Sequence, residues 1–435
     1  MPTIVNLNQK ATVNSPFQIC IFEDHDAKNA TPYQLTRPVY TIPHGMHNLV
    51  EKLRLFLPEQ TLTLLCQPSQ ALFLKKRFPT LTINQLNKSL PTLYVNGRLG
   101  GMSLAHLNTL LSGIQPTKNQ LFINNNSVPM IYATGTMNTL VFGLLQTQPT
   151  FDAIMGQLRK DSIVSEKKYL GLTTHWWDYL TTFSSVLNAD FDTYSKRQLI
   201  EGDIASFSTL INDTRMSIAS TATIAPYTVL DARQGPIVIM DNATIQPFSH
   251  IQGPCFIGEG SAIHSHTAIA SSYIGAHCKI GGEVKSSIIQ AYSNKSHDGY
   301  IGNSLTGEWV NLGAGTTISN LKLSYSDVNT HRGMTPESMA SDQLFLGAVL
   351  GDFVKTGIQT AITCGSVIGS ACSLYGHSSH STFVPPFTWG QAHDYKKHDI
   401  NAFVTTLDRM MKRRHQSLSQ DEVRQFTAIY DHIVN

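Results

Sequence analysis

The chain has 435 residues, 41% of them hydrophobic, and a formal net charge of +2. That length supplies more than one core, and the near-neutral balance gives no electrostatic case for a nucleic-acid partner. No apolar run is long enough for a membrane-spanning helix, and 1–17 lacks the charged start and apolar core of a signal peptide; the expectation is a cytoplasmic protein without membrane insertion. The six cysteines show no CxxC spacing, which fits reduced, structural thiols.

Taken in chain order, Gln18–Phe22 reads as a strand, and 46–57 as an amphipathic helix with Leu49, Val50, Leu53 and Phe56 on one face. A second strand over 61–66 precedes a helical stretch through Leu72 and Leu74. A third, over 90–95, ends at Asn96-Gly97, and 103–111 is again helical with Ser103 as N-cap. Such alternation predicts an α/β, Rossmann-like domain with ligands near the strand ends. Trp176 and Trp177 are read on a later helical segment that packs domains together.

Farther on the period changes. Ile239, Ile245, Ile251, Ile257, Ile263 and Ile269 recur at every sixth residue. A helix repeats near 3.6 residues and a strand at 2, so a step of six means one short strand plus one turn. Three such units close a coil, and stacked coils make a parallel β-helix with one aliphatic side chain per unit pointing inward. Ile218, Ile224 and Leu230 extend the ladder backward. Ile274, Ile280, Leu312, Ile318, Leu350, Ile362, Ile368 and Leu374 extend it forward, with Thr356 as a polar member. Glycine often follows the aliphatic position, as at Gly258, Gly275 and Gly313, which predicts corners of positive φ there. The β-helix is expected from near Met216 to Pro385-Pro386, lapsing over 321–343 into a polar excursion. In the tail, Ser419 and Glu422 form a capping-box pattern ahead of an apolar face of Val423, Phe426, Tyr430 and Ile433; it is expected to dock on the β-helix or a neighbouring subunit. The expected organisation is an α/β domain over 1–205, a left-handed β-helix over 206–390 and a helical tail over 391–435.

The ladder thins between Ser293 and Asn320, where Lys295, His297, Asp298, Tyr300, Asn311 and Asn320 concentrate within a few coils. Residues one coil apart stack at the strand spacing of ~4.8 Å, so these groups are expected to converge on one cleft. This segment, S-N-K-S-H-D-G-Y-I-G…V-N-L-G-A-G-T-T-I-S-N, resembles the acetyltransferase half of the bacterial bifunctional N-acetylglucosamine-1-phosphate uridyltransferase/glucosamine-1-phosphate acetyltransferases. With T-R-P and N-G-R near the N-terminus, it is similar also to a bacterial subgroup described as sugar-phosphate nucleotidyltransferases of that superfamily. The resemblance, covering about a third of the chain, implies a catalytic base at His297 and substrate contacts at Lys285, Tyr300 and Asn311. It implies acyl-donor contacts, to acetyl-CoA or another acyl-CoA, at Ala314 and Asn320. An imidazole, with an ordinary pKa near ~6.5, can take the proton of an attacking amine at neutral pH. Lys285 would hold a sugar phosphate.

The chain departs from the family in several places. Gln252 stands for a phosphate-binding arginine, Leu321 for a tyrosine and Ile358 for a cofactor-side serine, so the acyl donor or the amine is expected to differ. The family's glycine-rich nucleotide loop is replaced by Ile21-Phe-Glu-Asp-His-Asp-Ala-Lys. Arg37 in Thr36-Arg37-Pro38 would contact phosphate, and Arg98 stands where the family has a metal-binding aspartate. Mg²⁺ enters only if Asp24 and Asp26 substitute as ligands.

The resulting expectation is a transferase acting on sugar phosphates or nucleotide-sugars: acyl-CoA-dependent acyl transfer in the β-helix, in a homotrimer. Sugar-1-phosphate nucleotidyl transfer by the N-terminal half is the alternative. A γ-type carbonic anhydrase is disfavoured, since His250, His264, His266 and His277 lack that family's H-x₄-H zinc pair. A non-catalytic trimeric scaffold is the remaining alternative.

Overall fold

The computed structural model describes residues 16–30, 35–194, 199–376 and 379–434. Within them the chain forms two compact units, divided between His175 and Trp176.

The first unit is built on one sheet. Its strands are β1 (Gln18–Phe22), β2 (Leu62–Leu64), β3 (Thr82–Ile83), β4 (Thr92–Asn96), β5 (Gln120–Asn124), β6 (Ser127–Ala133) and β7 (Ile163–Glu166), in the order β3-β2-β1-β4-β6-β5-β7. The helices are α1 (Leu49–Phe56), α2 (Pro68–Arg77), α3 (Leu104–Ser112), α4 (Gly135–Leu145) and α5 (Phe151–Leu158). α1 starts later than the apolar pattern suggests because Asn48 caps it. The Asn48 side chain accepts the Glu51 N–H at 3.0 Å, and the Glu51 carboxylate accepts the Asn48 N–H at 3.0 Å. Ser103 caps α3 as expected, accepting the His106 N–H at 3.2 Å. β1 is buried along its whole length and pairs in parallel with β2 on one side and β4 on the other. The order of strand addition therefore reverses between β1 and β4, the kind of place at which open α/β sheets bind ligands.

Trp176 and Trp177 lie in the turn before α6 (Asp178–Tyr194), not on a helix. Both are buried, edge-to-face, with centroids 5.6 Å apart.

From Asp203 onward the chain winds into a left-handed parallel β-helix with three faces. The register stacks the ladder as its period requires: Ile239 on Ile257, Ile245 on Ile263, Ile251 on Ile269. These side chains are at most 1% exposed. At ~25 cal/mol per Å² of apolar area, each contributes about 2 kcal/mol, and the uniform ladder sets the register. The helix extends beyond each expected end, by a coil at the start and by a single rung at the finish. Asp203–Ile204 pairs with Thr223–Ile224 at the start. Thr388–Gln391 pairs with Ser373–Leu374 past the prolines, then turns back antiparallel into Asp394–Lys397. The excursion carries a hairpin of its own, Asn329–His331 against Ser338–Ala340.

The expected glycine corners need correcting. Gly258, Gly275 and Gly313 do not have positive φ; that conformation falls two residues later, at Gly260, His277 and Gly315, and at other corners is held by large residues such as Tyr292, Trp309 and Phe353. The glycines are required by close stacking instead. A Cβ at Gly258 would stand 2.6 Å from the Ala276 nitrogen one coil away, and one at Gly275 would stand 2.5 Å from the Ala291 nitrogen. The large residues stack on one another, with centroids 5.0 Å apart for His277–Tyr292 and 4.3 Å for Tyr292–Trp309.

The tail folds as α7 (Ile400–Lys412) and α8 (Gln420–Val434). Ser419 and Glu422 make the expected capping box. Phe403 and Phe426 meet Phe353 edge-on at 6.2 and 5.4 Å, and Tyr430 meets Phe387 at 5.1 Å. The tail thus docks on a corner of its own β-helix.

Candidate functional site

On the β-helix, the segment singled out by sequence forms the corner between two faces. One face, called here the lysine face, carries Glu283–Lys285 and Tyr300–Gly302, paired so that Tyr300 stacks on Glu283 and Gly302 on Lys285. Val284 points inward and is fully buried, so Glu283 and Lys285 both project outward. Gln252, Ala270 and Lys285 fall in one column of this face. The small Ala268 and Ala270 floor a shallow depression walled by His250 and Gln252 at one end and Glu283 and Lys285 at the other. Tyr300 lies over Gly302 and hydrogen-bonds with Asn320. Asn320 also donates to the Asn303 side chain at 2.7 Å. Burial, reinforced by Glu283, raises the Tyr300 phenol above its ordinary range against the Asn320 bond.

His297 is exposed on the corner itself, followed by Asp298. Ala314 occupies the equivalent corner position one coil on, where its carbonyl accepts the Gln359 N–H at 2.6 Å. Beneath His297 the coil is shortened: Ile280 to Val284 is a step of four rather than six. Gly281 and Gly282 make that tight corner. A Cβ on Gly281 would strike the Ser296 carbonyl; one on Gly282, whose φ is +71°, would stand 2.7 Å from the Gly299 carbonyl. The glycine pair lets the His297 corner seat directly on the coil below. His264 lies one coil farther down, its imidazole pKa lowered by burial and by the charges of Lys279 and His297.

Within one chain, two residues stand elsewhere than on the lysine face. Asn311 belongs to the adjacent face, in a column with Asn294 and Lys355. Its side chain accepts the Asn294 amide at 2.9 Å. Within one chain, therefore, Lys285, Tyr300 and Asn320 share a face, His297 and Ala314 share the corner, and Asn311 lies round it. Lys295 does not point into the cleft; it takes an inward ladder position, stacked on Ile280 and 3% exposed. The sequence signal was present, because Ile289, Lys295 and Ile301 keep the six-residue step. Glu283 was likewise missed, although its two-residue spacing from Lys285 puts both on one face.

In the first unit, Asp24 and Arg98 meet just beyond the C-terminal ends of β1 and β4, and both are buried. Arg98 grips Asp24 with two bonds, Nε to Oδ1 at 2.8 Å and Nη2 to Oδ2 at 2.6 Å, and Nη1 donates to the Thr173 carbonyl at 3.0 Å. Asn96 adds a bond to Asp24 Oδ2 at 2.7 Å. Asp26 stands 3.5 Å from the guanidinium. Both Asp24 oxygens are thus taken by cationic or amide donors, a set that does not fit Mg²⁺, which needs free carboxylate oxygens. Glu23, beside them, accepts the Val39 N–H at 2.6 Å and the Gln148 amide at 3.2 Å. Arg37 is buried just before the turn Val39–Thr41.

An α/β sheet with a switch in strand order, followed in the same chain by a β-helix of hexapeptide repeats, defines a two-unit architecture. Residues 19–198 match the family described as sugar nucleotidyl transferase. The chain is 34% identical over 149 residues to a bifunctional sugar-1-phosphate nucleotidylyltransferase/acetyltransferase of Sulfurisphaera tokodaii, covering 33% of this chain and 36% of that one. It is 36% identical over 123 residues to the bifunctional protein GlmU of Legionella pneumophila, covering 27% and 24%. The first unit is thus similar to sugar nucleotidyl transferases, and shorter stretches of the chain are similar to parts of these bifunctional proteins. The match spans about a third or less of the length of these relatives. Among solved structures, the UDP-N-acetylglucosamine acyltransferase of Francisella novicida aligns over 53% of this chain and 89% of its own, at 16% identity and a TM-score of 0.30, a likeness too slight to bear on function.

Proposed function

We propose that the β-helix transfers an acyl group from acetyl-CoA or a related acyl-CoA to the amine of a sugar phosphate. The observation that carries this reading is the exposed His297 at the rim of a face bearing Glu283, Lys285, Tyr300 and Asn320. The amine nitrogen attacks the thioester carbonyl carbon, the C–S bond breaks, and coenzyme A leaves as thiolate. His297 takes the amine proton and returns it to the sulfur. Lys285 holds the phosphate as a point charge, Tyr300 orients the sugar, and Ala314 and Asn320 flank the donor. The replacement of a family serine by the 63% exposed Ile358 favours a donor or amine different from the family's. A homotrimer is part of this reading: a neighbouring copy set against the lysine face would bring its own Asn311 into the site.

Purified protein with acetyl-CoA and glucosamine-1-phosphate is expected to release free thiol, and His297→Ala to abolish the release. Silence across a panel of aminosugar phosphates and acyl-CoAs would end the acyltransferase reading. Mixing His297→Ala with Asn311→Ala protein is expected to restore part of the activity if sites are shared between copies.

A second reading is supported by the switch in strand order and the match over 19–198: binding or transfer of a sugar nucleotide by the first unit, with Arg37 toward phosphate. Arg98, whose guanidinium is taken by Asp24 and the Thr173 carbonyl, does not fit the phosphate contact expected of it. Because the Asp24–Arg98 pair does not fit a metal, this reading includes no Mg²⁺ step. Pyrophosphate release from each NTP with a sugar 1-phosphate tests it. A cytoplasmic location is part of the proposal.

A further inference from the structure

We propose that Lys295 is a positioning residue: from inside the β-helix it ties down the corner that presents His297. The importance of that corner rests on the acyl-transfer reading above; the tether itself does not.

From Ile239 to Ile318, the inward positions are filled by aliphatic residues and Thr306, with Lys295 as the one charged member. An aliphatic residue there would satisfy the ladder, and a buried lysine is costly unless its donors are met. Here all three are met by backbone carbonyls. Nζ donates to Gly281 at 2.6 Å, to Gly299 at 2.7 Å and to His297 itself at 3.2 Å. Two of these acceptors bracket the exposed imidazole in sequence or carry it, and the third belongs to the coil below. The bonds therefore span the junction between the His297 corner and the shortened corner beneath it.

The shortening explains why a lysine fits. With a step of four from Ile280 to Val284, the lower corner lacks two residues that a regular coil would have. The ammonium fills part of that space: a Cβ on Gly282 would stand 2.8 Å from Nζ. Burial lowers the Lys295 pKa to about 8, with Asp298 and Glu283 acting in the opposite sense. At neutral pH the amine is thus charged and offers its full set of donors. Replaced by an apolar chain of similar length, the corner would keep its core packing and lose these three ties.

The test is Lys295→Met, compared with Ile301→Val, a control that thins the same coil without touching the corner. The first readout is the Cε1–Hε1 NMR signal of His297, assigned with His297→Gln. In wild-type protein and the control it is expected to be one sharp peak; in Lys295→Met it is expected to broaden or split. The second readout is thiol release. A displaced base costs about tenfold or more in kcat, with KM for the sugar phosphate within about twofold, since Lys285 and Tyr300 stay in place. A folded Lys295→Met protein with the wild-type His297 signal and kcat overturns the proposal. If wild-type protein shows no acyl transfer at all, the function reading fails while the NMR comparison still decides the tether. If Lys295→Met does not fold, Lys295→Ile, which restores the residue type of the ladder and keeps no donor, is read the same way; an unchanged His297 signal there counts against the proposal.

Discussion

Replacing Glu23 with glutamine should make the first unit more stable in neutral solution, although it removes a polar group held by two hydrogen bonds. Burial pushes the Glu23 carboxyl from its ordinary 4.5 up to about 7; the Val39 N–H opposes this and Asp24 adds to it. The folded protein therefore binds the proton more tightly than the unfolded chain. That stabilisation is complete below pH 4.5 and is lost as pH rises through about 7. At ~1.4 kcal/mol per pH unit, the loss amounts to about 3 kcal/mol by pH 8. Glutamine keeps the acceptor for Val39, cannot ionise, and escapes the loss; its new amide can bond Gln148 if that side chain flips. All four tryptophans, Trp176, Trp177, Trp309 and Trp389, lie in the other unit, so fluorescence would not see the effect. Hydrogen exchange of the β1 and β4 amides reports it directly. After correction for intrinsic rates, wild type and Glu23→Gln should match at pH 4.5, and the variant should be up to ~100-fold better protected at pH 8. Equal protection at both pH values, or a more protected wild type at pH 8, would refute the reasoning.

Other perturbations have outcomes of similar definiteness. Asp24→Ala strands the buried Arg98 guanidinium and should cost about 3–5 kcal/mol, most of it recovered in a double variant with Arg98→Met; denaturant melts followed by circular dichroism check this. Ile263→Ala opens a cavity in the ladder and should cost about 2–5 kcal/mol, read by tryptophan fluorescence. Gly282→Ala forces a side chain into φ +71° and against the Gly299 carbonyl. It should lower thiol release about tenfold while the melt of the remaining coils stays close to wild type.

What could be read from sequence follows physical reach. The ladder was legible because the period of a coil is local: each isoleucine needs only its own six-residue unit. The same rule marks Lys295, but its charge led it to be grouped with the cleft rather than with the core. The corner glycines were assigned the wrong cause, since their constraint is the backbone of another coil. The left-handed conformations, ~1–2 kcal/mol each for a non-glycine residue, coincide with stacked rings such as Tyr292 and Trp309. Asn311 was placed in the cleft because proximity in sequence does not say which face of a prism a residue occupies. The Asp24–Arg98 pair spans 74 positions and depends on two strands ending side by side, which no local pattern states.

The closing hairpin Asp394–Lys397 has a consequence for anyone who shortens this chain. A β-helix ends in a rung whose N–H and C=O groups point along the axis, ready to accept another rung. Here the antiparallel return pairs with Thr388–Gln391 and presents Lys396 and Lys397 to solvent, the kind of charge that blunts a sheet edge. A protein cut before Asp394 would bare that rung, together with the aromatic corner the tail helices cover. Such a fragment should polymerise end to end into fibres, and its insolubility would say nothing about the site around His297.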